Sequence, residues 1–460
     1  MLNKKIITFL GLFLFLFVLL FFTFFKTNEI KFYYSLALSG LMILFWLFEV
    51  VPIYVTALFP LALGVPLGLI DVSDLTSCYG HKYIYLFLGG FMFSLALEKW
   101  SAHRQISESI IRVLGSTKSR ILLGFLVSSA LLSMWISNTA TTLMMLPMAI
   151  AVIEQIKKES NSKFSVFLLL VVAYGASIGG MSTLVGSPPN ILMAGLLEEN
   201  YGVSISFFDW MKLGLPLSLI MLIVVYVIFY FYLGSERNDE VYDNSCLAKK
   251  KWSKNQIRVV FLFSLIIILW SFRVSISSFT GIKYTDEGVA IFGAILLFFI
   301  PSSHNNDKLL KWNDTKKLPW GILILFGGGM SLAKILELNG VIDKLTFLFT
   351  NYSHLPLIII LFLLVAIAIF GTEIMSNMAL VSVFVPFVAT FSLSTDYSLI
   401  QLCMPITLAA SCAFMLPVGT PPNAIVFSSG HLKVHNMMKT GFLLNLISVI
   451  IIVLYSIIFI

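Results

Sequence analysis

The chain is poor in charge. Only 12% of its 460 residues are Asp, Glu, Lys or Arg, while 58% are hydrophobic. A water-soluble domain carries roughly a quarter charged residues, so a soluble globule is excluded. Cysteine is scarce as well. Cys78, Cys246, Cys403 and Cys412 show neither metal-site nor paired-disulfide spacing and read as small core residues. There is no His-Glu-x-x-His pair and no paired Asp inside an apolar run, which deprives an intramembrane enzyme of its usual machinery. The Gly89-Gly90 and Gly327-Gly328-Gly329 clusters lack a following P-loop Lys, so they read as close helix contacts rather than phosphate cradles. All six His map to loops or span ends, which suggests no metal site and no cofactor.

The chain does hold long apolar runs. The first, Ile6 to Phe25, follows Lys4 and Lys5 like a signal peptide, but it is too long for such a core and no small-residue cleavage site follows. It is expected to stay as a membrane helix. Spanning runs follow at 33–50, 51–70, 83–98, 208–233, 257–274, 285–300, 319–337 and 438–459, with interrupted runs at 120–155, 165–198, 355–393 and 398–430. Reading 120–155 and 355–393 as re-entrant hairpins, and the other two interrupted runs as broken helices, gives eleven spans.

Charge placement tests that reading. With the N-terminus inside, 22 Lys and Arg fall on the cytoplasmic side and six outside: Lys26, Lys31, Lys82, Arg273, Lys283 and Lys344. Making either hairpin a single crossing would scramble this positive-inside partition. The net charge of +7 therefore reflects loop bias and gives no reason to expect a nucleic-acid partner. The expected organisation is an N-terminal helix and loop (1–32), a first repeat (33–234), a cytoplasmic linker (235–256) and a second repeat (257–460). Each repeat has five spans and one hairpin, so the second enters the membrane inverted and the C-terminus lies outside. Secondary transporters are commonly built this way, with the substrate at the midplane between repeats. Segments 101–115 and 338–352 alternate apolar and polar residues at helical spacing and are expected to lie along the interface.

Two motifs recur within this frame. Gly186-Ser187-Pro188-Pro189-Asn190 returns as Gly419-Thr420-Pro421-Pro422-Asn423, and Ser137-Asn138 returns as Ser376-Asn377, each with a Pro ten residues after the Ser, at Pro147 and Pro386. Paired prolines must interrupt a helix, and unwound backbone at membrane depth survives only where it lines a cavity or is buried in protein. Such a break frees carbonyls for a cation and creates half-helix N-termini that favour an anion. Asn190 and Asn423 are placed to tie the broken backbone through both amide groups. The uncharged cluster Ser137-Asn138-Thr139-Ala140-Thr141-Thr142 is denser than helix–helix glue requires and reads as a binding tip. Glu373, an acid beside the second tip, reads either as a ligand or as a residue holding the hairpin.

These residues resemble the divalent anion/sodium symporter family, carriers of dicarboxylates, citrate and sulfate. The likeness covers nearly the whole chain. It implies a first sodium site from Ser133, Ser137, Asn138 and the Gly186 carbonyl, and a second from Thr372, Ser376, Asn377 and the Gly419 carbonyl. It further implies that substrate carboxylates meet Asn138, Thr139, Ser187, Pro188, Asn377, Thr420 and Pro421. One departure stands at Met378, where similar dicarboxylate carriers repeat the Thr of the first tip; the second tip thus loses a hydroxyl and gains bulk. The expectation is sodium-driven uptake of a small divalent anion, a C4-dicarboxylate foremost, by an elevator motion within a homodimer. A citrate, sulfate, proton-coupled or exchange carrier of the same fold is the alternative. The cell membrane, the inner one in a bacterium, is the expected location.

Overall fold

The computed structural model describes residues 4–24, 29–155, 163–234, 238, 251–303, 307–349 and 355–460. Most of the 235–256 linker, with Cys246, and the residues His304 and His354 lie outside this set. Among the described residues every regular element is helical, apart from one isolated antiparallel bridge between Pro301 and Lys308.

The helices run α1 (Lys4–Phe24), α2 (Ile30–Phe48), α3 (Ile53–Thr56), α4 (Val72–Tyr79), α5 (Lys82–Lys99), α6 (Ala102–Leu114), α7 (Lys118–Ser133), α8 (Asn138–Gln155), α9 (Lys163–Gly180), α10 (Pro188–Tyr201) and α11 (Phe207–Leu233). After the linker come α12 (Lys254–Ser271), α13 (Arg273–Thr280), α14 (Asp286–Phe299), α15 (Trp320–Leu338), α16 (Val341–Phe349), α17 (Leu357–Thr372), α18 (Asn377–Leu393), α19 (Leu399–Ala409), α20 (Pro421–Ser428) and α21 (Val434–Phe459). Of these, α1, α2, α9, α11, α12, α15 and α21 are long and apolar enough to cross a membrane. Burial separates their roles: 94% of the most apolar window of α9 is buried against 17% for α1, so α9 is a core strut and α1 a peripheral helix.

The prolines act as expected at the two breaks. Chain continuity in α9 ends at Gly180 and α10 begins on Pro188; α19 ends at Ala409 and α20 begins on Pro421. Pro suits a first helical position because its missing N–H would be unpaired there anyway. Run 51–70, expected as one span, holds a shorter, irregular apolar helix, Ile53–Gly64, in which the turn α3 leads into a π turn over Pro60–Gly64, with further turns after it. Pro52, Pro60 and Pro66 explain the difference, each deleting a donor from a stretch whose hydropathy alone favours a helix.

α6 forms where the helical spacing placed it, with Ile111 buried at 5% exposure among its polar neighbours. Ala102, His103, Ser107 and Glu108 are buried against the protein, whereas Ile106 and Ile110 are only partly covered and Val113 is 84% exposed. Ile106, Ile110 and Val113 face outward, as suits a helix lying against lipid.

The packing is crosswise. α7 and α8 pack against α9, and α17 and α18 against α19. The second halves of the broken helices then change sides: α20 docks on α8 and α9, while α10 docks on α18, α19 and α15. Each break is thereby held against one hairpin and sends its following helix to the other.

Candidate binding site

Each hairpin turns through four residues, 134–137 and 373–376, before α8 or α18 starts on its Asn. The turn is closed in the same way both times. Ser133 Oγ donates to Asn138 Oδ1 at 2.6 Å, and Thr372 Oγ1 donates to Asn377 Oδ1 at 2.7 Å. The serines cap the helices that follow, with Ser137 Oγ accepting from Ala140 N at 3.3 Å and Ser376 Oγ from Ala379 N at 3.2 Å. Such caps satisfy backbone donors that a helix start leaves unpaired. The amide oxygens of both Asn thus point back across the turn toward a hydroxyl, and uncharged oxygens are concentrated there.

The breaks are tied by Asn190 and Asn423. Asn190 Nδ2 donates to Gly180 O at 2.9 Å and Thr183 O at 2.8 Å; Asn423 Nδ2 donates to Ala413 O at 2.9 Å and Leu416 O at 3.0 Å. Only the amide N–H groups do this work. Asn190 Oδ1 and Asn423 Oδ1 are buried without a hydrogen-bond partner, which corrects the expectation that both ends of the amide tie the backbone.

Tips and breaks meet within each half. A methyl added at Gly180 would stand 2.5 Å from Asn138 Oδ1, so the first amide lies against the open end of α9. Thr183 Oγ1 donates to Met134 O at 2.6 Å. In the second half Glu373 Oε1 accepts from Met415 N at 2.8 Å, and its Oε2 from Leu416 N at 2.9 Å. Asn445 Nδ2 of α21 adds a third bond to Glu373 Oε1 at 2.8 Å. With its carboxylate engaged in this way and only 3% exposed, Glu373 holds the hairpin to the break.

Accessibility divides the remaining positions. Ser137, Asn138, Thr139 and Pro188 are half-buried, as are Ser376 and Asn377, while Ser133, Gly186, Ser187, Thr372, Gly419 and Thr420 are buried and Pro421 is exposed. Met378 is 7% exposed and belongs to the hydrophobic core, unlike Thr139 in the first tip. Thr420 Oγ1 caps α20 by accepting from Asn423 N at 3.3 Å; Ser187 has no corresponding bond.

Sequence reasoning missed Thr183, Asn445 and Tyr174, whose hydroxyl donates to Phe414 O at 2.8 Å and pins the second break to α9. Asn445 was detectable as a lone amide in the apolar run 438–459. A Gly-x-Ser-x-Gly pattern does occur at Gly175–Gly179, but it lies inside α9 and Ser177 is buried, so it makes no nucleophile elbow.

Polar contacts at the span ends are structural. Lys82 Nζ meets Glu198 Oε1 at 2.5 Å, joining α5 to the end of α10, and Lys334 meets Glu337 at 3.0 Å. His81, beside Lys82, has its pKa pushed below the ordinary value because burial outweighs the attraction of Glu199 and Glu198. Asp314, in the turn Trp312–Lys317 before α15, is held below the usual carboxylate range: burial opposes this, but the hydrogen bond from Lys99 and the backbone bond from Lys311 prevail.

An all-helical chain with two such tip-and-break units is built as a membrane carrier. Residues 3–459 match the family model described as the sodium:sulfate symporter transmembrane region, and the chain belongs to that family. Among curated relatives, a sodium-dependent dicarboxylate transporter, SdcS, from Staphylococcus saprophyticus is 35% identical over 442 residues, covering 92% of this chain and 85% of the relative. SdcS of Staphylococcus aureus strain USA300 is 37% identical over 469 residues, covering 97% and 89%. The crystal structure of the Alcanivorax borkumensis YdaH transporter superposes with a TM-score of 0.59 at 12% identity, covering 85% of this chain and 89% of that one, a likeness of fold. Family and relatives are transporters, not enzymes.

Proposed function

We propose that this protein couples sodium entry to uptake of a small divalent anion, with a C4-dicarboxylate as the substrate. The observation that carries the reading is the doubled turn in which a hydroxyl closes on the Asn amide, Ser133 with Asn138 and Thr372 with Asn377, each beside a helix break. Hydroxyl, amide and carbonyl oxygens suit a hard cation. The adjoining N-termini of α10 and α20 suit a carboxylate. Sodium binds first, at Ser133, Ser137, Asn138 and the Gly186 carbonyl and at Thr372, Ser376, Asn377 and the Gly419 carbonyl. Its charge offsets the field of the carbonyls, and the anion then binds Asn138, Thr139, Ser187, Pro188, Asn377, Thr420 and Pro421, with Met378 at the edge of the second end. The names of the SdcS relatives support this choice of ions.

The same reading includes eleven spans in two inverted repeats, re-entrant hairpins, a cytoplasmic N-terminus and an outside C-terminus. The hairpins and broken helices move as an elevator against the remaining helices, in a homodimer of the cell membrane, the inner one in a bacterium. Sulfate is the second reading, favoured by the description of the matching family as a sodium:sulfate symporter region. Uptake of radiolabelled succinate, citrate and sulfate into proteoliposomes under an inward sodium or potassium gradient tests both. Succinate uptake that requires sodium is expected; sodium-independent uptake, or uptake of sulfate alone, overturns the dicarboxylate symport reading.

A further inference from the structure

We infer that Thr183 is a positioning residue for the first cation site, and that the two halves of the protein solve the same fastening problem with exchanged chemistry. The inference rests on the sodium-site reading above.

In the first half, Gly186 N donates to Thr183 Oγ1 at 3.0 Å, and the same hydroxyl donates to Met134 O at 2.6 Å. Thr183 O meanwhile accepts from Asn190 Nδ2 at 2.8 Å. One fully buried residue therefore joins the hairpin tip, the break and the start of α10. Among the described residues, the Thr183–Met134 bond is the hydrogen bond that links the first tip to the first break.

Leu416 stands 233 positions after Thr183, and Glu373 stands 239 after Met134, the offsets of the two motifs. Leu416 has no hydroxyl, and there the direction is kept but the parts are swapped. The break still donates and the tip still accepts, through Leu416 N and Met415 N to the Glu373 carboxylate. Gly419 N bonds directly to Leu416 O at 3.1 Å, without a side chain between. A neutral relay through one hydroxyl thus serves the first half, and a bond to a carboxylate, roughly twice as strong as a neutral one, serves the second.

Without the Thr183 hydroxyl, Gly186 N and Met134 O lose their partner, and the Gly186 carbonyl is no longer fixed against the tip. The fold elsewhere and the second site keep their own bonds. Sodium binding at the first site should suffer, while anion binding at saturating sodium should not.

The test measures succinate uptake in proteoliposomes and sodium-dependent thermal stabilisation of the purified protein for Thr183→Val, Thr183→Ser and Ser133→Ala. Thr183→Val removes both hydrogen bonds of the hydroxyl and is expected to raise the half-saturating sodium concentration by about threefold to tenfold or more, and to lower sodium cooperativity. The succinate KM at saturating sodium should stay within about twofold, and Thr183→Ser should restore parental sodium dependence. If Thr183→Val does not fold, Thr183→Cys, with a weaker donor of similar size, should give an intermediate shift. Unchanged sodium dependence in the Val or Cys variant, or a Ser variant as impaired as Val, overturns the inference. Ser133→Ala separates the layers: if it shifts sodium dependence while the Thr183 variants do not, only the positioning role fails; if neither shifts it, the sodium site itself is misplaced.

Discussion

Asn190 and Asn423 make the same two bonds 233 positions apart, each donating Nδ2 to the carbonyls ten and seven residues earlier. Four carbonyls of the two unwound stretches accept from these two amides; those of Gly180, Thr183 and Ala413 are on buried residues, and Leu416 O also accepts from Gly419 N. Leaving a buried polar group unpaired costs about 1–3 kcal/mol. Asn190→Ala and Asn423→Ala should therefore each lower the melting temperature and weaken sodium stabilisation, whereas a variant at an exposed residue such as Lys283→Ala should not. Differential scanning fluorimetry with and without sodium checks this.

Asn138→Ala and Asn377→Ala should each abolish sodium-driven uptake while the protein still elutes as a folded species in size-exclusion chromatography. Each removes the amide that receives the hydroxyl of Ser133 or Thr372. Full uptake in both variants would remove the tips from the site.

Glu373→Gln tests the fastening of the second half. The carboxylate accepts from Met415 N, Leu416 N and Asn445 Nδ2; Gln offers one oxygen and turns an NH2 toward a backbone donor. Hydrogen bonds to a charged group contribute about 1.5–3 kcal/mol each. A fall in melting temperature and in maximal uptake is expected, larger than for Thr183→Val. A variant as stable as the parent would show that the charge is dispensable.

Met378→Thr should tighten succinate binding about tenfold if a hydroxyl at the second tip reaches a carboxylate, as a charge-assisted bond allows. Because Met378 is 7% exposed, the change also removes core packing, and the melting temperature should fall whichever way affinity moves. Competition of succinate against sulfate measures the first effect. Unchanged affinity in the variant would leave Met378 as a core residue.

Orientation is open to chemical labelling. The linker and the start of α12 carry Arg237, Lys249, Lys250, Lys251, Lys254 and Arg258 around Cys246, and the positive-inside rule predicts a cytoplasmic position. An impermeant maleimide should label Cys246 in inverted vesicles and not in intact cells. Labelling from outside would undo both the orientation and the inversion drawn from it.

The breaks at Pro188 and Pro421 were legible because proline acts sterically wherever it stands. Ser133 and Thr372 each stand four residues before Ser137 and Ser376, a spacing visible in the sequence, but what singled them out was the family resemblance. The broken 51–70 segment was not read, although its prolines were in view, because a window of apolar residues weights hydropathy over missing donors. Thr183 and Asn445 gain their roles from partners 49 and 72 residues away, which the fold brings together.

A methyl at Gly179 would stand 2.2 Å from Ala130 O, so the backbones of α7 and α9 touch without a side chain between them. Such a contact works like a keyed joint. Gly175, one turn earlier, repeats it, since a methyl there would stand 2.8 Å from Leu126 O. The first hairpin and α9 are therefore seated backbone to backbone over a full turn, and a displacement of the first tip should carry α9 with it.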